Sequence, residues 1–441
     1  MARSRHAEAE ISTAADTVLR EYEATEPLDE ESLPRRAREV IEQEINADET
    51  RLGLEYQADG RARIRATQHV GIVTLPDGPA IEIRPKVPQT DLLGLLQYAR
   101  GIQARTIEET TQITAGRTFI DALATLFEAE LESVLTRGLH KDYRRVSESE
   151  SHLRGRLNVQ QQLQRQGPKP TEFECTYNEL TVDTIVNRAV LYATTLLQQF
   201  VRDRGLNKTL QRHQQRLRRR VELVPVRPVQ LERVELNRLT AYYEDLFRLT
   251  KLVIQSIFVD DLRAADRSSF ALLVNMNSVF EAVVERAVTE VFADRRGWTV
   301  AGQASSQKLV SDGPRSITIR PDILVSDSEL GDRLVGDAKW KLDDPESRSR
   351  EPSTSDIYQL VAYQVAHETP GVLFYPEQGG RLESVYDVHQ LEPLTLVEIP
   401  VWGEDGAKLE TVIRDRVAEQ LPRLSEPKKS GTGDAYTDSR S

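Results

Sequence analysis

Two hydrophobic runs that end in charge constrain this chain more than any other feature. SITIRPDILV (316–325) and RLVGDAKWKL (333–342) each read as a strand, yet each ends in charge that a core would not tolerate without a partner. Residues two apart on a strand face the same side. Asp337 and Lys339 therefore share a face, and Lys341 joins them if the strand continues. Asp322 lies fifteen residues before Asp337, on the neighbouring strand and within pairing reach. Two carboxylates so placed suit Mg²⁺, which prefers hard oxygen ligands. A metal ion between them would polarise a phosphate and acidify a bound water. Lys339 would orient that water or stabilise charge on phosphorus.

The flanking segments extend the pattern. SFALLVNMNSVFEAVVERAVTEVFADRRG (269–297) is predicted to be one long helix ending at Gly297. Glu281 follows Val279-Phe280 on its apolar stripe and points inward on that reading, either completing a metal shell or holding a ligating water. SDIYQLVAYQVAH (355–367) is a second predicted helix, with Ser355 as its N-cap. Gln359 and Tyr363 are four apart on it and so share a face. There they would bond a DNA phosphate or brace the lysine. Helix, acidic strand, acid-x-lysine strand and helix, in that order, make the pattern of a PD-(D/E)xK nuclease site. The acidic pair with its lysine is degenerate by itself, and the plain alternative is two strand ends with surface ion pairs. The full set, Glu281, Asp322, Asp337, Lys339, Gln359 and Tyr363, is harder to assemble by chance.

Other chemistries find no support. The chain has no GxxxxGK[ST] loop, no HExxH, no GxSxG and a single cysteine, Cys175, expected as buried filler. His152 and His367 are isolated and read as structural or exposed. No apolar run approaches the ~18–20 residues that cross a bilayer, and the N-terminus has no apolar signal core, so a cytoplasmic protein without membrane association is expected. The net charge of −12 is awkward for a DNA-binding chain. Basic clusters are local, as in RHQQRLRRR (212–220), for which a solvated helix face is the favoured reading. Only 11 of the 58 basic residues are lysine, so each lysine invites a question.

The organisation expected is multidomain α+β. Residues 1–110 form an N-terminal β-rich region around the turn Asp77-Gly78, with PRRAREVIEQEI as an amphipathic helix before it. Residues 111–265 form a helical middle region. Residues 266–400 form an α/β nuclease domain with a central mixed sheet, and 401–441 a C-terminal helix with a disordered tail.

RPDIL, GDAKWK and DIYQLVAY together resemble the McrC family, the nuclease subunit of McrBC-type modified-cytosine restriction systems. VGIVTLPDGPAIEIRPKV (70–87), LRGRLNV (153–159), ECTYNELTVDTIVNRAVLYA (174–193) and NMNSVFEAVVE (275–285) extend the resemblance over roughly residues 60–400, with the middle region resting on small clusters such as Gly155 and Asn187. The first 50 residues and the polar tail have no counterpart in it. The resemblance implies an N-terminal region that docks onto a hexameric McrB-like AAA+ GTPase, and a C-terminal domain that cuts DNA with Mg²⁺ as cofactor. GTP would be bound by the partner. By carry-over Asp322, Asp337 and Lys339 are catalytic, with Glu281, Gln359 and Tyr363 supporting, and Asp322, Asp337 and Glu281 hold the metal. Double-strand cleavage would require two nuclease subunits to pair. Two alternatives stay open: a non-cleaving subunit that activates the motor, and a self-sufficient repair or defence nuclease.

Overall fold

The computed structural model describes residues 17–102, 119–165, 171–238, 240–259, 270–303, 308–310, 317–341, 352–378, 385–403 and 408–424. The tail expected to be disordered, 425–441, lies outside them.

The N-terminal part opens with β1 (Thr17–Arg20), helix α1 (Arg35–Val40) and a π-helical turn at Ile41–Ile45. β2 (Leu52–Tyr56), β3 (Ala62–Ala66), β4 (His69–Thr74) and β5 (Ala80–Arg84) follow. β4 and β5 form the expected hairpin, and Asp77 turns the chain with φ 51°. β1 was not foreseen as a strand; it pairs parallel with β5, Thr17 opposite Ile81.

α2 (Leu92–Arg100), α3 (Phe119–Arg137), α5 (Ile185–Phe200), α6 (Arg204–Arg218), α7 (Pro228–Glu232) and α8 (Glu244–Ser256) build the middle helices. They pack through Phe127, Leu191, Leu197, Tyr243 and Leu246, all buried. The middle region is not wholly helical, however. β6 (Asp142–Glu150), β7 (Arg156–Leu157) and β8 (Phe173–Thr181), with the short α4 (Val159–Arg165) between the last two, form a separate antiparallel sheet ordered β6-β8-β7. β6 reads DYRRVSESE and is exposed along nearly its whole length, so it carries no apolar alternation to announce a strand.

β9 (Ile257–Val259) and β10 (Phe270–Asn275) return to the N-terminal sheet, ordered β1-β5-β4-β10-β9. One face of this sheet meets a small core of Leu19, Ile64, Val73, Ile81 and Leu273; the other meets the main core through Val70, Ile72, Leu272 and Val274. β4 and β10 come so close at Gly71 that a Cβ there would stand 1.9 Å from the Leu272 carbonyl oxygen. The run expected as one helix over 269–297 thus splits. Phe270–Asn275 is a strand, and α9 (Met276–Phe292) starts at Asn275, whose side chain accepts from the N–H groups of Asn277 and Ser278.

The last sheet contains β11 (Trp298–Gly302), β14 (Ile323–Asp327), β15 (Gly331–Ala338), β16 (Gly371–Pro376), β17 (Val385–Tyr386) and β18 (Leu394–Ile399), in the order β11-β14-β15-β16-β18-β17. β12 (Lys308–Val310) and β13 (Ile317–Thr318) pair separately, so the run expected as one strand over 316–325 is divided at 319–322 into β13 and β14. β14 runs antiparallel to β15, and β16 and β18 run parallel to it, so the sheet is mixed. Strand β18, LTLVEI, was not foreseen, although it is buried throughout. Alternation divides the two faces. Ile323, Val325, Leu334, Ala338, Val372, Phe374 and Val397 join the main core with α9 and α11 (Leu409–Leu424). Val335, Leu373, Leu394 and Leu396 pack against α10 (Thr354–His367) through Leu360 and Tyr363. The N-cap of α10 is Ser353, which accepts from the N–H of Asp356, and not Ser355. Among the described residues, no helix is long and apolar enough to cross a membrane.

Candidate active site

The pairing of β14 with β15 sets the site. Ile323 stands opposite Gly336, so Asp322 and Asp337, one residue further on each strand, fall on the α10 face. Gly336 allows the close layer, because a Cβ there would meet Phe374 at 2.9 Å. Asp322 is half-buried, and its Oδ2 accepts from the backbone N–H of Ala338 at 2.9 Å. Asp337 is fully buried. Lys339 follows the end of β15 but keeps the ladder, its N–H donating to the Phe374 carbonyl at 2.9 Å.

The Lys339 ammonium lies 2.6 Å from Asp337 Oδ2. That is an ion pair by distance, but neither carboxylate oxygen of Asp337 completes a hydrogen bond of good geometry. Burial, then the negative charge of Asp322, pushes the Asp337 carboxyl up to about 7 against the pull of Lys339. Burial opposes charge on Lys339 too, but Asp337, Asp322 and Asp356 outweigh it and raise its pKa. Lys339 therefore stays an ammonium at neutral pH.

The other sequence-predicted residues converge on the same place. Glu281, on α9, is half-buried and accepts from Gln303 Nε2 at 3.4 Å. Burial first, then Asp322, raises its pKa. Tyr363, on α10, is buried and donates to the Arg320 carbonyl at 3.1 Å, two residues before Asp322. Gln359 donates to the Tyr363 hydroxyl at 2.7 Å. These two side chains hold the backbone two residues before Asp322, and the charge of Lys339 acts on the Tyr363 hydroxyl. Lys341, expected as an exposed strand-end lysine, is paired: its ammonium lies 2.7 and 2.9 Å from the oxygens of buried Asp356, which also accepts from Tyr375.

Several features were not foreseen. Trp340, between the two lysines, is buried on the opposite face, with its ring 5.6 Å from that of Phe280. Its indole N–H meets the carboxylate of Glu21, and its carbonyl accepts from Lys86. The scarcity of lysine was the one sequence signal pointing to Lys86. Other groups stand apart. The basic run 212–220 sits at the end of α6, with His213 and Leu217 buried and most of its arginines exposed. His367 is buried and pairs with Asp332 at 2.7 Å, His152 bonds Ser151 at the surface, and Cys175 is buried.

Among the described residues, no three acidic, histidine or cysteine side chains are already closed into a metal-ligating group. The donor set nevertheless fits a hard divalent cation. Both Asp337 oxygens are buried, one of them paired with Lys339, and burial followed by the charge of Asp322 raises their proton affinity. A divalent cation would add to the single counter-charge that Lys339 gives this acidic group.

A mixed α/β fold in several sheets, with an acidic pair and a lysine at adjoining strand ends, defines the class of protein. A family profile described as McrBC 5-methylcytosine restriction system component matches residues 64–376, so the chain belongs to that family. Its structure is similar to a chain of the refined half-complex from a tetradecameric assembly of Thermococcus gammatolerans McrB AAA+ hexamers with bound McrC. Identity is 19%, TM-score 0.60, with 91% of this chain and 99% of that one covered. A second likeness is to the cryo-EM structure of the T. gammatolerans McrBC complex, at 21% identity, TM-score 0.43, 64% of this chain and 89% of that one. No curated protein matches.

Proposed function

We propose that the chain is the McrC-type, Mg²⁺-dependent DNA endonuclease subunit of a modification-dependent restriction system, with a PD-(D/E)xK site. One observation carries the reading: Asp337 is fully buried beside Asp322, with the Lys339 ammonium 2.6 Å away as its ion-pair partner and no hydrogen bond of good geometry to either oxygen. A structural aspartate would be hydrogen-bonded at that depth. Asp322, Asp337 and Glu281 would hold the metal, which when bound supplies Lewis acidity toward a phosphodiester and a water of lowered pKa.

The chain's own groups do the rest. The Ala338 N–H fixes one oxygen of Asp322, and the Asp322 charge acts on Asp337 beside it. Lys339 keeps its proton and offers N–H donors to a phosphoryl oxygen that gains charge during attack. Tyr363 and Gln359 fix the backbone at Arg320, and through it the reach of Asp322. The McrC of the solved assembly is bound to McrB AAA+ hexamers, and the absence of a phosphate-binding loop in this sequence is consistent with a motor partner that binds GTP. We infer such a partner here.

The test is cleavage of modified DNA with Mg²⁺, with and without the co-purified AAA+ partner and GTP, comparing wild type with Asp337→Ala. Cleavage by wild type with the partner, lost in Asp337→Ala while GTP hydrolysis is still stimulated, is the expected result. Equal cleavage by both places the chemistry elsewhere. No cleavage by wild type under any condition leaves a subunit that activates the motor without cutting.

A further inference from the structure

We infer that Glu21 and Lys86 are positioning residues for the candidate nuclease site, acting through Trp340 to set Lys339; this rests on the nuclease reading above. β15 ends at Ala338, and the Lys341 N–H closes a tight turn onto the Lys339 carbonyl at 3.0 Å with Trp340 at its centre. The Trp340 ring lies in the main core while Lys339 pairs with Asp337, so whatever fixes Trp340 fixes the backbone from which Lys339 projects. Trp340 is held at three points. Its indole N–H lies 3.1 and 2.9 Å from the two oxygens of Glu21. Its carbonyl accepts from Lys86 Nζ at 2.5 Å. Its ring packs on Phe280, the residue next to Glu281.

The holders are themselves fixed. Glu21 follows β1 and Lys86 follows β5, two strands paired in parallel. Glu21 donates its N–H to the Arg84 carbonyl at 3.1 Å and accepts the Lys86 N–H at 2.9 Å. Lys86 also lies over the Tyr22 ring at 4.8 Å. Glu21 and Trp340 are both buried, yet 319 residues apart in sequence. A buried carboxylate and a half-buried ammonium spent on one tryptophan are costly for simple packing, since apolar residues of similar volume fill such a space as well or better. Their arrangement links the end of the N-terminal sheet to both Lys339 and the helix of Glu281. Glu21 lies outside the residues matched to the family and Lys86 and Trp340 within them, so the link ties the unmatched N-terminal segment to the site.

The test uses the full chain with its AAA+ partner and compares Glu21→Gln, Trp340→Phe and the double variant. Glu21→Gln keeps the shape and one acceptor oxygen; Trp340→Phe keeps an aromatic ring and removes the N–H. Each single variant should lower the single-turnover cleavage rate about 10- to 100-fold, the size expected when a reacting group is misplaced. DNA affinity should stay within about twofold, because these variants shift a group that acts in the transition state and remove no proposed contact to DNA. The double variant should be no worse than the worse single one. Hydrogen exchange over 335–341 should quicken in each variant and stay unchanged over β6 and β8. Wild-type rates and exchange in both single variants overturn the inference, as do additive losses or faster exchange throughout, which mark general destabilisation. If wild type itself does not cut, the nuclease reading fails and the exchange measurement alone decides whether Glu21 orders 335–341.

Discussion

The backbone N–H of Ala338 donates to Oδ2 of Asp322 at 2.9 Å, so the two strands that carry the acidic pair are latched to each other inside the site. The latch needs an acceptor oxygen, but not its charge. Asp322→Asn should therefore fold normally, with an unchanged circular dichroism spectrum. It should lose cleavage by about 100-fold or more, because metal-assisted charge stabilisation is worth several kcal/mol. Magnesium-dependent cleavage at near wild-type rate in this variant would remove Asp322 from the metal shell.

Asp337 gives a pH prediction for the cation-free protein. Its carboxyl is raised to about 7 by burial and by Asp322, so the folded state binds more protons than the unfolded one between the ordinary carboxylate range and about 7. Stability without a divalent cation then falls as pH rises through that window and levels off above it. Asp337→Asn escapes this cost. In chelator its melting temperature should exceed that of wild type at pH 8, by a stabilisation of about 4 kcal/mol at most, and the advantage should vanish near pH 4. Adding Mg²⁺ at pH 8 should raise the melting temperature of wild type and leave the variant unmoved. A variant advantage independent of pH would contradict the assignment.

Tyr363 and Gln359 differ in what they hold. Tyr363→Phe leaves the Arg320 carbonyl without its donor and should cost about 1 kcal/mol in stability, with a larger loss in cleavage rate because Asp322 loses its support. Gln359→Ala, at an exposed position, should change stability by less than about 0.5 kcal/mol. Chemical denaturation of the two variants, beside single-turnover cleavage, measures both. Equal effects would mean that the tyrosine acts by its ring alone.

Gly71 allows a contact that no other residue can make. At φ 145°, with the Leu272 carbonyl oxygen 1.9 Å from an added Cβ, Gly71→Ala must push β4 away from β10. The cost should exceed about 4 kcal/mol, in the range of severe backbone and packing defects. Little soluble protein should be recovered, and a soluble variant with an unchanged melting temperature would show that the two strands separate freely.

The sequence was readable where charge interrupted an apolar pattern. RLVGDAKWKL announced its strand and its charged end together, whereas SITIRPDILV, read as one strand, divides into β13 and β14 of separate sheets, and the six candidate residues gather around the adjoining ends of β14 and β15. It was unreadable where the pattern carried no contrast. Phe270–Asn275 joins α9 with no glycine or proline between them, so strand and helix ran together. β6 is polar on both faces, and its strand character comes from pairing with β8. The Glu21–Trp340 contact joins two single residues from opposite ends of the chain, and no local rule reaches that far.

The closing of the first sheet by β10 sets an order on the chain's synthesis. β4 is complete at Thr74, but its second neighbour begins only at Phe270. A nascent chain therefore carries one open hydrogen-bonding edge on β4 while nearly two hundred further residues are made. The middle helices emerge in that interval, and Trp340, the residue after Lys339, follows later still. The candidate site is thus completed only after β10 has covered the open edge of β4.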